Sequence, residues 1–113
     1  MTEIIIGAGA SGLACAIRLK QNMPNDEVIL LERLDTLGKK ILATGNGRCN
    51  LSNEHAEHYK EIINFFDNIG LKTKSDSEGR IYPYSNQAAT VRDILEKECI
   101  RLGVQIITDC TVK

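Results

Sequence analysis

The stretch that decides the fold is Ile4-Ile5-Ile6-Gly7-Ala8-Gly9-Ala10-Ser11-Gly12, answered 20 residues later by Glu32. Three isoleucines that stop at a glycine read as a short buried strand. From Ser11 to about Asn22 the pattern turns helical, with Leu13, Ala14, Ile17 and Leu19 as its apolar positions. Pro24-Asn25-Asp26 marks a turn, and Val28-Ile29-Leu30-Leu31 is a second buried strand closed by Glu32. Strand, helix and strand in this order predict parallel strands joined by a right-handed crossover. The fold class is therefore α/β, a partial Rossmann-type layer.

Within that unit, residues 7–12 spell G-x-G-x-x-G. The pattern alone is weak, because short glycine patterns arise by chance. Here it follows a strand, opens a helix and meets an acid at the end of the next strand, the context that marks a dinucleotide site. Gly7 permits the tight turn, Gly9 lets the backbone approach a pyrophosphate, and Gly12 lets the helix lie close to the sheet. The helix N-terminus offers free N–H groups and the positive end of its dipole to phosphates. Glu32 is placed to accept hydrogen bonds from a ribose diol and disfavours a 2′-phosphate there, although Arg33 could receive one. These residues leave NAD and FAD equally open.

Residues 37–53 hold Gly38, Gly45 and Gly47 with Thr44, Asn46 and Asn50, and lack a sustained period. They read as a shaped loop with one helical turn over residues 39–43. Asn53 is expected to cap a following helix, whose apolar positions are Tyr59, Ile62, Ile63, Phe66 and Ile69 and which Gly70 ends. Residues 71–84 read as a small hairpin or extended excursion punctuated by Gly79 and Pro83. Ser85 is expected to cap a third helix with apolar face Ala88, Val91, Leu95, Cys99 and Leu102, supported by an Asp93–Lys97 pair. Gly103 ends that helix, and residues 104–108 form a third parallel strand. Residues 1–113 are expected to form one domain.

Composition sets the limits. The chain has 113 residues, 42% hydrophobic and 26% charged, with a net charge of −1. That balance is ordinary for a globular domain and provides no electrostatic footprint for nucleic acid or an anionic membrane. The four cysteines (Cys15, Cys49, Cys99 and Cys110) include no C-x-x-C pair. The start, Met1-Thr2-Glu3, carries an acid where a signal peptide has basic residues, so a reduced, cytoplasmic setting is expected. His55 and His58 stand three apart among acids, but without a third ligand they read as a solvated first turn rather than a metal site. Arg48 beside Cys49 could activate its thiol, but with no resolving cysteine in view a redox role is disfavoured, and Cys15, Cys99 and Cys110 read as small core residues.

A second glycine loop narrows the reading. Six of the nine glycines lie in residues 1–47, in two loops, and the second runs Gly38-Lys39-Lys40-Ile41-Leu42-Ala43-Thr44-Gly45-Asn46-Gly47-Arg48-Cys49-Asn50. Clustered glycines with lysines, an arginine and amides suit phosphates or a polar ring edge. With this string the chain resembles the BaiN/RdsA family of flavoproteins, FAD-dependent oxidoreductases of the aminoacetone oxidase-like kind. The resemblance is carried by GAGASGLACAI, Glu32-Arg33, LGKKILATGNGRCNLSN, Phe65-Phe66, the residues around Tyr82-Pro83-Tyr84 and GVQII. TGNGRCN is its most specific part.

The resemblance implies FAD as the cofactor, with a nicotinamide nucleotide as a possible reductant. It places Gly7, Ala8, Gly9, Ala10, Ser11 and Gly12 at the pyrophosphate and Glu32 and Arg33 at the adenosine ribose. Lys39, Lys40, Thr44, Gly45, Asn46, Gly47, Arg48, Cys49 and Asn50 would run along the pyrophosphate towards the flavin. Val112 would contact the adenine through its backbone. It also implies that residues 1–113 are the N-terminal part of a larger flavoprotein with a separate substrate domain. Only 11 residues separate Asn53 from Phe65, where the family carries a longer insertion. The alternatives are a non-catalytic nucleotide-binding module or remnant, and the NAD-binding domain of a dehydrogenase.

Overall fold

Residues 1–113 are all described by the computed structural model. Strand β1 (Thr2–Ile6) leads through the glycine turn into α1 (Ala10–Asn22) and on to β2 (Glu27–Leu31). A 3₁₀ segment follows over Lys39–Gly47, then a short strand β3 (Ser52–Asn53), α2 (Tyr59–Asn68), β4 (Thr73–Ser75), β5 (Arg80–Pro83), α3 (Ala88–Arg101) and β6 (Gln105–Ile107). The chain divides into two compact units, Met1–Lys40 with Leu95–Lys113, and Ile41–Ile94.

The first unit is the Rossmann layer. β1 and β6 flank β2 in a parallel three-stranded sheet, with Ile4 opposite Ile29, and Leu31 opposite both Ile6 and Ile107. The strand-helix-strand pattern thus gives the parallel pairing expected of it. Leu13, Ala16 and Ile17 of α1 are fully buried, as are Val28 and Leu30 on the covered face of β2. Cys99 of α3 is buried and its thiol reaches the Leu13 carbonyl at 3.8 Å. Burial pushes that thiol up to about 12, so it stays protonated.

The opposite sheet face corrects the reading of two buried strands. Ile4 and Ile6 are 61% and 67% exposed, and Ile107 is 38% exposed. The helical layer covers only one face, and β1 lies at an edge, so the outer isoleucines stay open. Cys15, expected among the small packed residues, is exposed on α1.

In the second unit β5 pairs antiparallel with both β3 and β4. The hairpin expected over residues 71–84 is present, with Gly79 at φ +81° in its turn. Strand β3 was not foreseen, and it explains why Asn53 does not cap a helix. The Asn53 backbone is paired across to Arg80, and its side-chain oxygen accepts from the His55 N–H at 2.8 Å, which closes a local turn. Helix α2 begins six residues later behind His58, at φ +65° and without a side-chain cap. Its apolar positions are half-buried rather than sealed. Ser85 accepts from Gln87 N–H and bonds the Thr90 hydroxyl, just ahead of α3. Asp93 pairs with the adjacent Arg92 rather than with Lys97. No helix is long and apolar enough to cross a membrane.

Candidate nucleotide-binding site

Two of the three glycines of residues 7–12 are required by the chain itself, each for a different physical reason. Gly7 sits at φ +97°, a left-handed conformation that side chains rarely adopt. At Gly12 a Cβ would stand 1.9 Å from the Gly7 carbonyl oxygen, so only glycine lets α1 approach the end of β1. Gly9 has neither reason. Its backbone is extended, at φ −81° and ψ −168°, and a Cβ there would meet nothing within 4 Å. The chain itself does not require glycine at this position, and the space in front of it is open.

Behind Gly9 the start of α1 is uncapped. No side chain bonds its first amides, and its first turn holds no acid. The first helical hydrogen bond runs from Leu13 N–H to the Gly9 carbonyl at 3.0 Å. The amides of Ala10, Ser11 and Gly12 therefore have no partner within the helix, and with the dipole they form an anion-receptive end.

Glu32 is the hub of the adjoining structure. Its carboxylate accepts from Ala8 N–H at 2.9 Å and from Leu34 N–H at 2.8 Å. Its own amide donates to the Ile107 carbonyl, and its carbonyl accepts from Cys110 N–H, both at 2.9 Å. The Leu34 and Ala8 amides hold its carboxyl below the usual carboxylate range, against the opposing effect of burial. Each carboxylate oxygen keeps a second lone pair beyond these bonds. Glu32 and Arg33 line a cavity of about 260 Å³ together with Gly7, Leu31, Cys110, Thr111 and Val112. Pockets that enclose whole drug-sized ligands run from roughly 300 to 1,000 Å³, so this cavity is smaller than those. Cys110 and Thr111 were not foreseen as lining residues. The signal available was only that they directly follow a parallel strand beside Glu32.

Lys39 and Lys40 are exposed at the end of the first unit. The remaining expected loop residues, Thr44 to Asn50, belong to the second unit. There the chain turns twice, with Gly45 and Asn46 left-handed inside the 3₁₀ segment and Cys49 buried at φ +59°. Thr44 Oγ1 donates to the Ile41 carbonyl at 2.7 Å, and Cys49 N–H donates to the Thr44 carbonyl at 3.0 Å. The Asn50 amide donates to the carbonyls of Ser52 and Ile81, at 2.8 and 3.0 Å. The Arg48 guanidinium lies over the buried Tyr82 ring, 4.4 Å from its centroid, and donates to the phenol oxygen at 3.5 Å. Its guanidinium is thus held by an aromatic ring rather than an acid, and its fork remains available to an anion.

The model of the HI0933-like protein Rossmann domain matches residues 1–61, more than half of the chain. The 3-dehydro-bile acid delta(4,6)-reductase of Clostridium scindens is 44% identical over 96% of this chain and 31% of its own length. That alignment runs over 128 positions, so the relative carries residues that this chain lacks. The ribosomal RNA dihydrouridine synthase of Haemophilus influenzae is 44% identical over 93% of this chain and 30% of its length. The chain thus spans about a third of each relative. Among solved structures, Thermovibrio ammonificans THI4 superposes with a TM-score of 0.72 at 18% identity, over 95% of this chain and 37% of that one, a likeness of fold. Fold, glycine motifs and family model agree: the chain belongs to the HI0933-like family and carries its Rossmann domain.

Proposed function

We propose that residues 1–113 are the FAD-binding portion of a flavin-dependent oxidoreductase. The observation that carries this reading is Gly9, a glycine with ordinary backbone angles and open space in front of an uncapped helix. A pyrophosphate bound on residues 7–12 supplies the reason for that glycine. Glu32, which lines the cavity, would take the ribose hydroxyls beside Arg33, and the chain at Val112 would meet the adenine. Lys39, Lys40 and residues 44–50 would serve the pyrophosphate and the flavin, with Arg48 as their fixed cation. Bound there, a flavin would supply hydride and electron chemistry, and the protein would contribute its binding and orientation.

Two relatives are named as a reductase and a dihydrouridine synthase. Those names favour a reductive reaction of the whole protein, for which a nicotinamide nucleotide is our proposed source of electrons. No nucleic-acid contact is proposed for this chain, whose net charge is −1.

Titration with FAD, ADP and NADH tests the reading. Quenching of flavin fluorescence, competed by ADP, is expected. A chain that binds NADH and ignores FAD would support the dehydrogenase alternative instead. A chain that binds neither FAD nor ADP would refute the nucleotide site.

A further inference from the structure

Ala8, the second residue of the glycine loop, is 1% exposed and is gripped at both of its main-chain groups. Its N–H donates to Glu32 Oε1 at 2.9 Å, and its carbonyl accepts from Gly38 N–H at 2.7 Å. The neighbouring Gly7 N–H is bonded to the Leu31 carbonyl at 2.8 Å. The loop between β1 and α1 is therefore fastened before any ligand arrives, and one fastening is a carboxylate. Glu32 is long enough to reach Ala8 with one oxygen and Leu34 with the other.

We propose that Glu32 is a positioning residue for the glycine loop, holding Ala8 so that the amides of residues 10–12 face an incoming phosphate. This role adds to the ribose contact and rests on the nucleotide reading above. The two roles make opposite statements about a ligand that has phosphates and no ribose. A residue that only accepts ribose hydroxyls contributes nothing to inorganic pyrophosphate. As a negative charge near the loop it would even oppose that anion, so its neutralisation would tighten binding. A latch predicts the reverse, because loosening Ala8 disorders the amides that receive the phosphate.

The test uses the full chain as wild type, Glu32→Gln and Glu32→Asp, with ADP and inorganic pyrophosphate as probes. Glutamine keeps the length but offers a single neutral oxygen, and aspartate keeps the charge but is one methylene short. Both variants are expected to weaken pyrophosphate by about five- to tenfold, the value of one weakened charge-assisted hydrogen bond, and ADP by at least as much, because ADP also loses the ribose contact. In the absence of ligand, amide hydrogen exchange at Ala8 and Gly9 should quicken by a similar factor. Pyrophosphate binding that is unchanged or tighter while ADP binding falls would overturn the proposal and leave Glu32 as a ribose acceptor. Exchange at Ala8 unchanged in both variants would overturn it as well, even if the wild-type chain bound neither probe. That apo measurement separates failure of the latch from failure of the nucleotide reading.

Discussion

Alanine placed at Gly9 and at Gly12 should have opposite consequences, although the positions are three residues apart. At Gly9 the added methyl meets nothing within 4 Å, and φ of −81° suits alanine. Fewer unfolded conformations favour the variant by about 0.4–1 kcal/mol. The poorer N-cap preference of alanine takes back roughly as much. Apo stability should therefore stay within about 0.5 kcal/mol of wild type, while the methyl occupies the space a phosphate needs, and FAD affinity falls at least about tenfold, or 1.4 kcal/mol. At Gly12 the methyl would lie 1.9 Å from a main-chain oxygen that cannot swing away. An ordinary carbon–oxygen contact is about 3.3 Å or more, so α1 must retreat by more than 1 Å at that end. The retreat disturbs Leu13 and Ile17, both fully buried. Overpacking typically costs about 1–3 kcal/mol, and a rigid backbone neighbour puts this case at the upper end. At roughly 4–6 °C per kcal/mol for a chain of this size, the melting temperature should fall by over about 10 °C. Thermal denaturation of the two apo variants, with flavin fluorescence titration of the folded one, decides the matter. A Gly9→Ala variant that binds FAD like wild type would show that no ligand approaches there. A Gly12→Ala variant as stable as wild type would refute the packing argument.

Further outcomes follow from named contacts. Because Glu32 is held below its usual value of 4.5, its contribution to stability is present above that pH and is lost as pH falls through the lower folded value. Glu32→Gln should therefore flatten the acid limb of a urea-denaturation series below the usual carboxyl value of 4.5; an identical limb in both proteins would remove Glu32 from it. Tyr82→Leu removes the ring under Arg48, a contact worth about 0.5–2 kcal/mol, and should speed amide exchange across residues 44–50 without FAD. If those amides are unprotected in the wild-type apo chain, the loop is ordered by cofactor and not by Tyr82. Iodoacetamide should label exposed Cys15 in the native state and reach Cys99 only on unfolding, and mass spectrometry showing early Cys99 adducts would contradict its burial.

The Rossmann half was readable because its signals are local and each has one physical meaning. An isoleucine run ending at glycine, a helical period from Ser11 and an acid after the next apolar run fix strand, helix and strand without distant information. The same signals could not tell how many faces of the sheet are covered. Ile4 and Ile6 look identical to core isoleucines in sequence, and their exposure depends on which layer the rest of the chain supplies. Strand β3 escaped for a related reason. Two residues carry no periodicity, and Ser52 and Asn53 belong to a sheet only because β5, some 30 residues on, lies beside them.

The candidate site divides in the same way. The glycines and Glu32 announce themselves, since a backbone that must bend, approach closely or leave space restricts the residue type at each point. What sequence could not supply is how Glu32 is engaged, because a carboxylate at a strand end reads equally as a free ribose acceptor and as a hydrogen-bonded hub. Arg48 shows the limit more sharply. Its place in the TGNGRCN string pointed to a cofactor as its partner. The residue that holds it is Tyr82, 34 positions away, brought beneath the loop by β5 and the two carbonyl bonds of Asn50. An acid would have neutralised the guanidinium and left a pinned loop with little capacity for anions. An aromatic ring holds the cation by its face and leaves its charge unneutralised. That difference separates a structural arginine from one able to receive an anion.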